Sequence, residues 1–144
     1  MKIAYISSHL PRQCGIATFN HNLKIALDLN FSDPSNADKS FSIAVHDGEE
    51  IDDNYYPDHL RMVLRQNFQN DYINAANFIN SSETEAVIIQ HEFGIYGGES
   101  GIYLLPLLNR LERPLFTILH TVLKEPSYTQ KLIIQEIAKH HKYT

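Results

Sequence analysis

Cysteine is almost missing from these 144 residues; Cys14 is the only one. A single thiol excludes an intramolecular disulfide framework and fits a reducing compartment. Long apolar runs are missing too. No stretch approaches the roughly 18 apolar residues that span a bilayer, and the apolar part of "MKIAYISSHLPRQ" is too short for a signal peptide. The expected location is therefore the cytoplasm. Basic residues are few: 12 Lys and Arg against 17 Asp and Glu leave a formal net charge of -5. That argues against nucleic acid as a partner, because binding a phosphate backbone requires a basic footprint. A local pocket for a small phosphate is compatible with the total. Repeats and low-complexity tracts are absent. So are the three-glycine dinucleotide fingerprint, the P-loop lysine signature and the second histidine of a helical zinc-protease motif.

What is present is the composition of one globular domain, with 43% hydrophobic and 20% charged residues. Short apolar runs alternate with segments of helical period. Strands are expected near 2–7, 41–46, 60–65, 85–90 and 114–120, the third of them a more exposed edge strand because "LRMVLR" alternates apolar and basic residues. Helices are expected over "GIATFNHNLKIALDL", with Ile16, Phe19, Leu23, Ala26 and Leu27 on the inner face, and over "NDYINAANFINS". A third is expected from near Tyr103, which keeps Pro106 in the first turn. The last opens on Ser127 and Gln130 at capping-box spacing and runs on through "AKHHKY". Leu104, Leu105, Leu107, Leu108 and Leu111 nearly encircle the third helix, so it is buried on most sides or packs against a further part of the chain. Residues 30–40, rich in Asn, Ser and Asp, read as a surface loop, and "GEEIDDNYYPD" as a solvated excursion. The fold class is α/β: a mostly parallel, Rossmann-like sheet with helices on both faces. The chain stops at the end of a helix, where such a domain normally adds a strand.

In an open parallel sheet, ligands collect beyond the carboxyl ends of the strands. Three polar stretches fall there: "SHLPRQCG", "HEFGIYGGESG" and "HTVLKEPS" follow the first, fourth and fifth expected strands. Gly15 stands at the mouth of the first helix, where free N–H groups attract anions; it either admits a phosphate to the backbone or merely relieves a tight turn. Gly94, Gly97, Gly98 and Gly101 either bring the backbone close to a ligand through tight or positive-φ turns, or belong to an ordinary mobile loop. His91, Glu92 and His120 are weak candidates for a metal and better ones for polar ligand contacts. His120, ending an apolar strand, is either a sugar or phosphate contact or a capped structural histidine. Cys14 reads as a small filler without a partner base, and His140 and His141 as solvated.

"PRQCGIATFNHNL", "IIQHEFGIYGG" and "LHTVLKEPS" occur in this order. Together they resemble the amino-terminal part of family 4 glycosyltransferases of the GT-B fold, in particular a bacterial subgroup with "CGIATF" and "QHEFGIFGG" loops. The likeness spans roughly residues 1 to 140, and Tyr96 stands where the subgroup has Phe. It implies the amino-terminal, Rossmann-like half of a two-domain enzyme. Such an enzyme transfers a sugar from a nucleotide-diphosphate sugar to a carbohydrate or other hydroxyl acceptor with retention, typically without a metal. By the same resemblance, Arg12 and Gly15 belong to the loop near the donor diphosphate. His120 is the catalytic residue approaching the transferred sugar, and His91, Glu92, Gly97, Gly98 and Glu99 line the acceptor side. No cofactor is implied beyond the nucleotide sugar as co-substrate, and peripheral membrane contact of a full-length protein stays open. The carboxyl-terminal donor domain and its paired glutamates have no counterpart here, so 1–144 is expected to be an incomplete, inactive part of the enzyme.

Two other functions compete. One is a stand-alone binding module for a phosphorylated sugar. The other, disfavoured by the single glycine of "SHLPRQCGIA", is a nicotinamide-dependent oxidoreductase with Asp47 placed for a ribose.

Overall fold

The computed structural model describes residues 1–31, 40–57 and 60–140. The surface loop expected over 30–40 lies for residues 32–39 outside the described residues, as do His141 and the end of the last helix beyond residue 140. Five strands form one all-parallel sheet: β1 (Ile3–Ser7), β2 (Phe41–His46), β3 (Met62–Arg65), β4 (Ala86–His91) and β5 (Leu115–Leu119). Their order is β3-β2-β1-β4-β5, so β3 is an edge strand as its alternating pattern predicts. β1, β2 and β4 are buried at every position. Interior strands of a parallel sheet meet packing on both faces, and their sequences read as unbroken apolar runs.

Four α-helices and a short 3₁₀ turn flank the sheet: α1 (Gly15–Phe31), α2 (Gln69–Ser81), α3 (Leu104–Arg110) and α4 (Tyr128–His140), with the 3₁₀ turn at Glu99–Gly101. Successive strand residues face opposite sides. Ala4, Ile6, Ile43, Val45, Val87 and Ile89 therefore share one core with Tyr72, Ala75 and Ile79 of α2, Leu104, Leu107 and Leu108 of α3, and Ile133 and Ile137 of α4. Ile3, Tyr5 and Ile88 point the other way and meet Leu23 and Leu27 of α1. The result is a Rossmann-like α/β architecture with α1 on one face and α2, α3 and α4 on the other.

The leucines of α3 are buried or packed against the core, so that helix is covered on most sides. Pro106 sits in its first turn, where the missing N–H is harmless. The cap of α4 closes in both directions: Gln130 N donates to Ser127 Oγ at 3.2 Å, and Ser127 N donates to Gln130 Oε1 at 2.8 Å. The inner face of α1 differs from expectation. Ala17 and Asn20 are its buried residues, whereas Ala26 is exposed and Phe19 is 44% exposed. The reason is a helix that rests on the sheet through small and polar residues near its start, which turns Phe19 toward the sheet's carboxyl edge. No helix among the described residues is long and apolar enough to cross a membrane.

Candidate functional site

The chain leaves β1 toward α1 on one face and leaves β4 toward α3 on the other. β1 and β4 are neighbours, so the strand order switches between them, and the carboxyl edge at such a switch is where ligands collect in open α/β sheets. β5 lies next to β4, and its following loop joins the same edge. All three stretches singled out in the sequence therefore emerge along three adjacent strands.

The β1–α1 turn carries a cis Leu10–Pro11 bond and ends at Gly15, the first residue of α1. A Cβ placed on Gly15 would meet nothing within 4 Å. The helix mouth is thus open, and nothing in the fold itself demands glycine there. Arg12 stands 3.7 Å from Asp47 through Nη2, while its buried Nη1 has no hydrogen-bond partner among the described residues. Cys14 reports on the local field. Burial pushes its thiol up, but the Ser8 hydroxyl, the N–H groups of Ala17 and Ile16 and the Arg12 charge outweigh this and hold it below the ordinary value. A first helical turn that stabilises a thiolate offers the same N–H groups to other anions. The filler reading of Cys14 misses this electrostatic position.

His120 follows β5. Its backbone N donates to His91 O at 2.9 Å, continuing the ladder. Its Nε2 lies 2.8 Å from Oε1 of Gln90, whose Nε2 donates to Oδ1 of Asn20 at 3.2 Å. Gln90 and Asn20 are buried, and His120 is exposed. Phe19 packs edge-on against the imidazole with ring centroids 5.1 Å apart. The histidine is therefore held by one strand and one helix while its outer side stays accessible. Gln90 and Asn20 went unnoticed in the sequence. The only available signals were a polar residue closing the apolar run "AVIIQ" and one at a buried position of the first helix.

His91 behaves differently. It is the last residue of β4, not part of the loop, and alternation turns its ring to the α3 and α4 face, opposite Gln90. It is fully buried, nearly parallel to Tyr96 at 6.2 Å and edge-on to Phe93 at 5.0 Å. Neither ring nitrogen has a hydrogen-bond partner among the described residues. Burial lowers its pKa to about 4; Glu92 opposes the shift and His120 adds to it. His91 and His120 thus sit on opposite sides of the sheet. Among the described residues, no group of three His, Cys, Asp or Glu could hold a metal ion.

The loop from 92 to 103 is stitched to the body. Tyr72 Oη accepts from Gly97 N at 2.9 Å and donates to Gln66 O at 2.7 Å. Tyr96 Oη donates to Gln90 O at 2.7 Å, and Gln66 Nε2 to Gly94 O at 3.1 Å. Glu92 turns back on its own loop and accepts from Gly94 N at 2.7 Å. Glu99 accepts from Thr129 Oγ1 at 3.0 Å, which ties the 3₁₀ turn to α4. Two glycines serve distinct needs. Gly98 has φ +75°, and a Cβ on buried Gly97 would stand 2.0 Å from Gln66 O. Gly98 and Glu99 remain exposed on the rim. A largely apolar cavity of about 190 Å³ between the β5–α4 loop and α4 has Phe93, Leu119, Val122 and Ile134 in its wall, with Thr121, Lys131 and Gln135 also lining it.

No protein-family model, no curated protein and no solved structure matches this chain. The class defined by the structure is a Rossmann-like α/β domain with three polar loops along the carboxyl edge of β1, β4 and β5.

Proposed function

We propose that this chain is the acceptor-side domain of a retaining family 4 glycosyltransferase of the GT-B kind. It acts with a second domain that carries the nucleotide-diphosphate sugar. What supports the reading most is the convergence of the three motif-bearing loops on adjacent strands at the switch point, with an open helix mouth at Gly15 and an anchored, accessible His120. In this reading Gly15 and Arg12 receive the diphosphate, whose developing charge the helix N–H groups stabilise. His120 contacts the sugar as its bond to phosphate loosens. The rim of 92–103, chiefly Gly98 and Glu99, meets the acceptor. His91 and Gly97 support that wall from within.

The test has two arms. The coding sequence beyond Thr144 is expected to encode a second α/β domain with a Glu…Glu pair; a stop codon there favours a binding module instead. In the complete enzyme, His120→Ala is expected to cut turnover per folded molecule by roughly 10²–10³, the size of losing one preorganised hydrogen-bonding group, and to lower the melting temperature only modestly through the lost partner of Gln90 Oε1. A variant that melts early but keeps full turnover per folded molecule refutes the catalytic role.

A further inference from the structure

We propose that Gln90, oriented by Asn20, fixes the tautomer of His120, so that the ring presents Nδ1 to a ligand as a hydrogen-bond acceptor. A neutral imidazole has one N–H and one lone pair, and its neighbours decide which nitrogen holds which. Gln90 Oε1 carries no hydrogen, so the proton in the 2.8 Å contact belongs to His120 Nε2. The orientation of this amide is tied to that of Asn20. Its NH₂ end donates to Asn20 Oδ1, and both amide side chains are at most 1% exposed, where an unpaired polar group is costly. The opposite nitrogen, Nδ1, has no partner among the described residues and belongs to an exposed side chain.

Gln90 and Asn20 are thus positioning residues, acting through His120 and touching no ligand themselves. The chemical consequence is selective. An Nδ1 lone pair accepts a hydrogen bond from a sugar hydroxyl and, in the neutral ring, donates nothing to a phosphate oxygen. His120 therefore recognises the hydroxyl-bearing part of the donor, and the diphosphate is left to the first helix. That assignment rests on the glycosyltransferase reading; the tautomer does not.

The experiment is long-range ¹H–¹⁵N correlation spectroscopy of the histidine-labelled 144-residue chain, at a pH well above the ordinary histidine range. His120 is identified by the signal lost in His120→Ala, and exposed His21 serves as the solvated reference. The expected result is an Nε2–H tautomer at His120, enriched over His21 on the order of tenfold, the size of one net neutral hydrogen bond. Gln90→Leu should return His120 to the His21 ratio, Asn20→Leu should weaken the preference, and Asn20→Asp should retain it. An Nδ1–H tautomer, a wild-type ratio equal to that of His21, or a preference that survives Gln90→Leu overturns the proposal. If Gln90→Leu does not fold, the wild-type ratio and the two Asn20 variants decide. A fixed tautomer combined with full turnover of His120→Ala in the complete enzyme would leave this inference standing and remove the glycosyltransferase role of His120.

Discussion

Acidification tests the burial of His91 directly. In the folded chain its pKa lies at about 4, against an ordinary value of 6.5, because burial disfavours the imidazolium. Between those values the unfolded chain binds one more proton than the native one, so stability is fully present above the unfolded pKa and falls as pH falls. The slope is about 1.4 kcal/mol per pH unit, and from about pH 7 to about pH 4.5 it amounts to roughly 2 kcal/mol. His91→Phe removes the titration and two buried, unpartnered nitrogens, and it keeps a flat ring between Tyr96 and Phe93. At neutral pH the variant should equal or exceed the wild type in stability, since an unsatisfied buried polar atom costs about 1–3 kcal/mol. Urea unfolding followed by far-ultraviolet circular dichroism is the suitable assay, because the chain has no tryptophan. With a urea dependence of about 2 kcal/mol per M, the midpoint gap between variant and wild type should widen by about 1 M on acidification. Parallel pH curves would refute the argument, since they would mean that native His91 takes up a proton as readily as the unfolded chain.

Three further outcomes are expected. Gly97→Ala should lower stability by about 1–3 kcal/mol or more through collision with Gln66 O, whereas Gly94→Ala, which meets only the flexible end of Glu92, should be nearly neutral in the same urea assay. Asp71→Asn should lower the melting temperature by a few degrees at neutral pH, because Asp71 accepts from Arg65 Nε at 2.8 Å, Nη2 at 3.0 Å and the backbone N at 2.9 Å. Arg65 holds the Asp71 carboxyl below its ordinary value of 3.8, so this contribution is present above that value and is lost below it; the gap between variant and wild type should close in acid. Gly15→Val should leave stability within about 0.5 kcal/mol, given the empty space around that position, yet, on the proposed glycosyltransferase reading, weaken transfer strongly in the complete enzyme. Retained activity there reduces Gly15 to a turn residue.

All five strands were legible in the sequence to within two residues at either end, because a buried parallel strand must be apolar on both faces and writes that requirement into consecutive positions. The capping box of α4 was legible for a similar reason: Ser127 and Gln130 act on each other locally. Strand order was not, since it depends on which runs pair across long separations. The site divides along the same line. Its loops could be located by composition, and Gly98 does adopt positive φ. The support of His120 could not be located, because Asn20 and Gln90 are 70 residues apart and meet only after β4 is laid beneath α1. His91 belongs to both categories. Its place at a strand end was readable, but the sharing of one motif with loop residues concealed that alternation buries it on the opposite face from Gln90.

The stitching of the 92–103 loop has a kinetic consequence. Tyr72 and Tyr96 bind this segment to the β3–α2 turn and to β4 through bonds internal to the fold. A ligand arriving at that wall meets backbone whose ordering entropy was spent during folding, so little remains to be lost on contact. In the proposed enzyme, association along this side would be limited by encounter and orientation. The corresponding loss is adaptability: a wall built this way discriminates by excluding shapes that do not fit, and it has little capacity to remodel itself around those that nearly do.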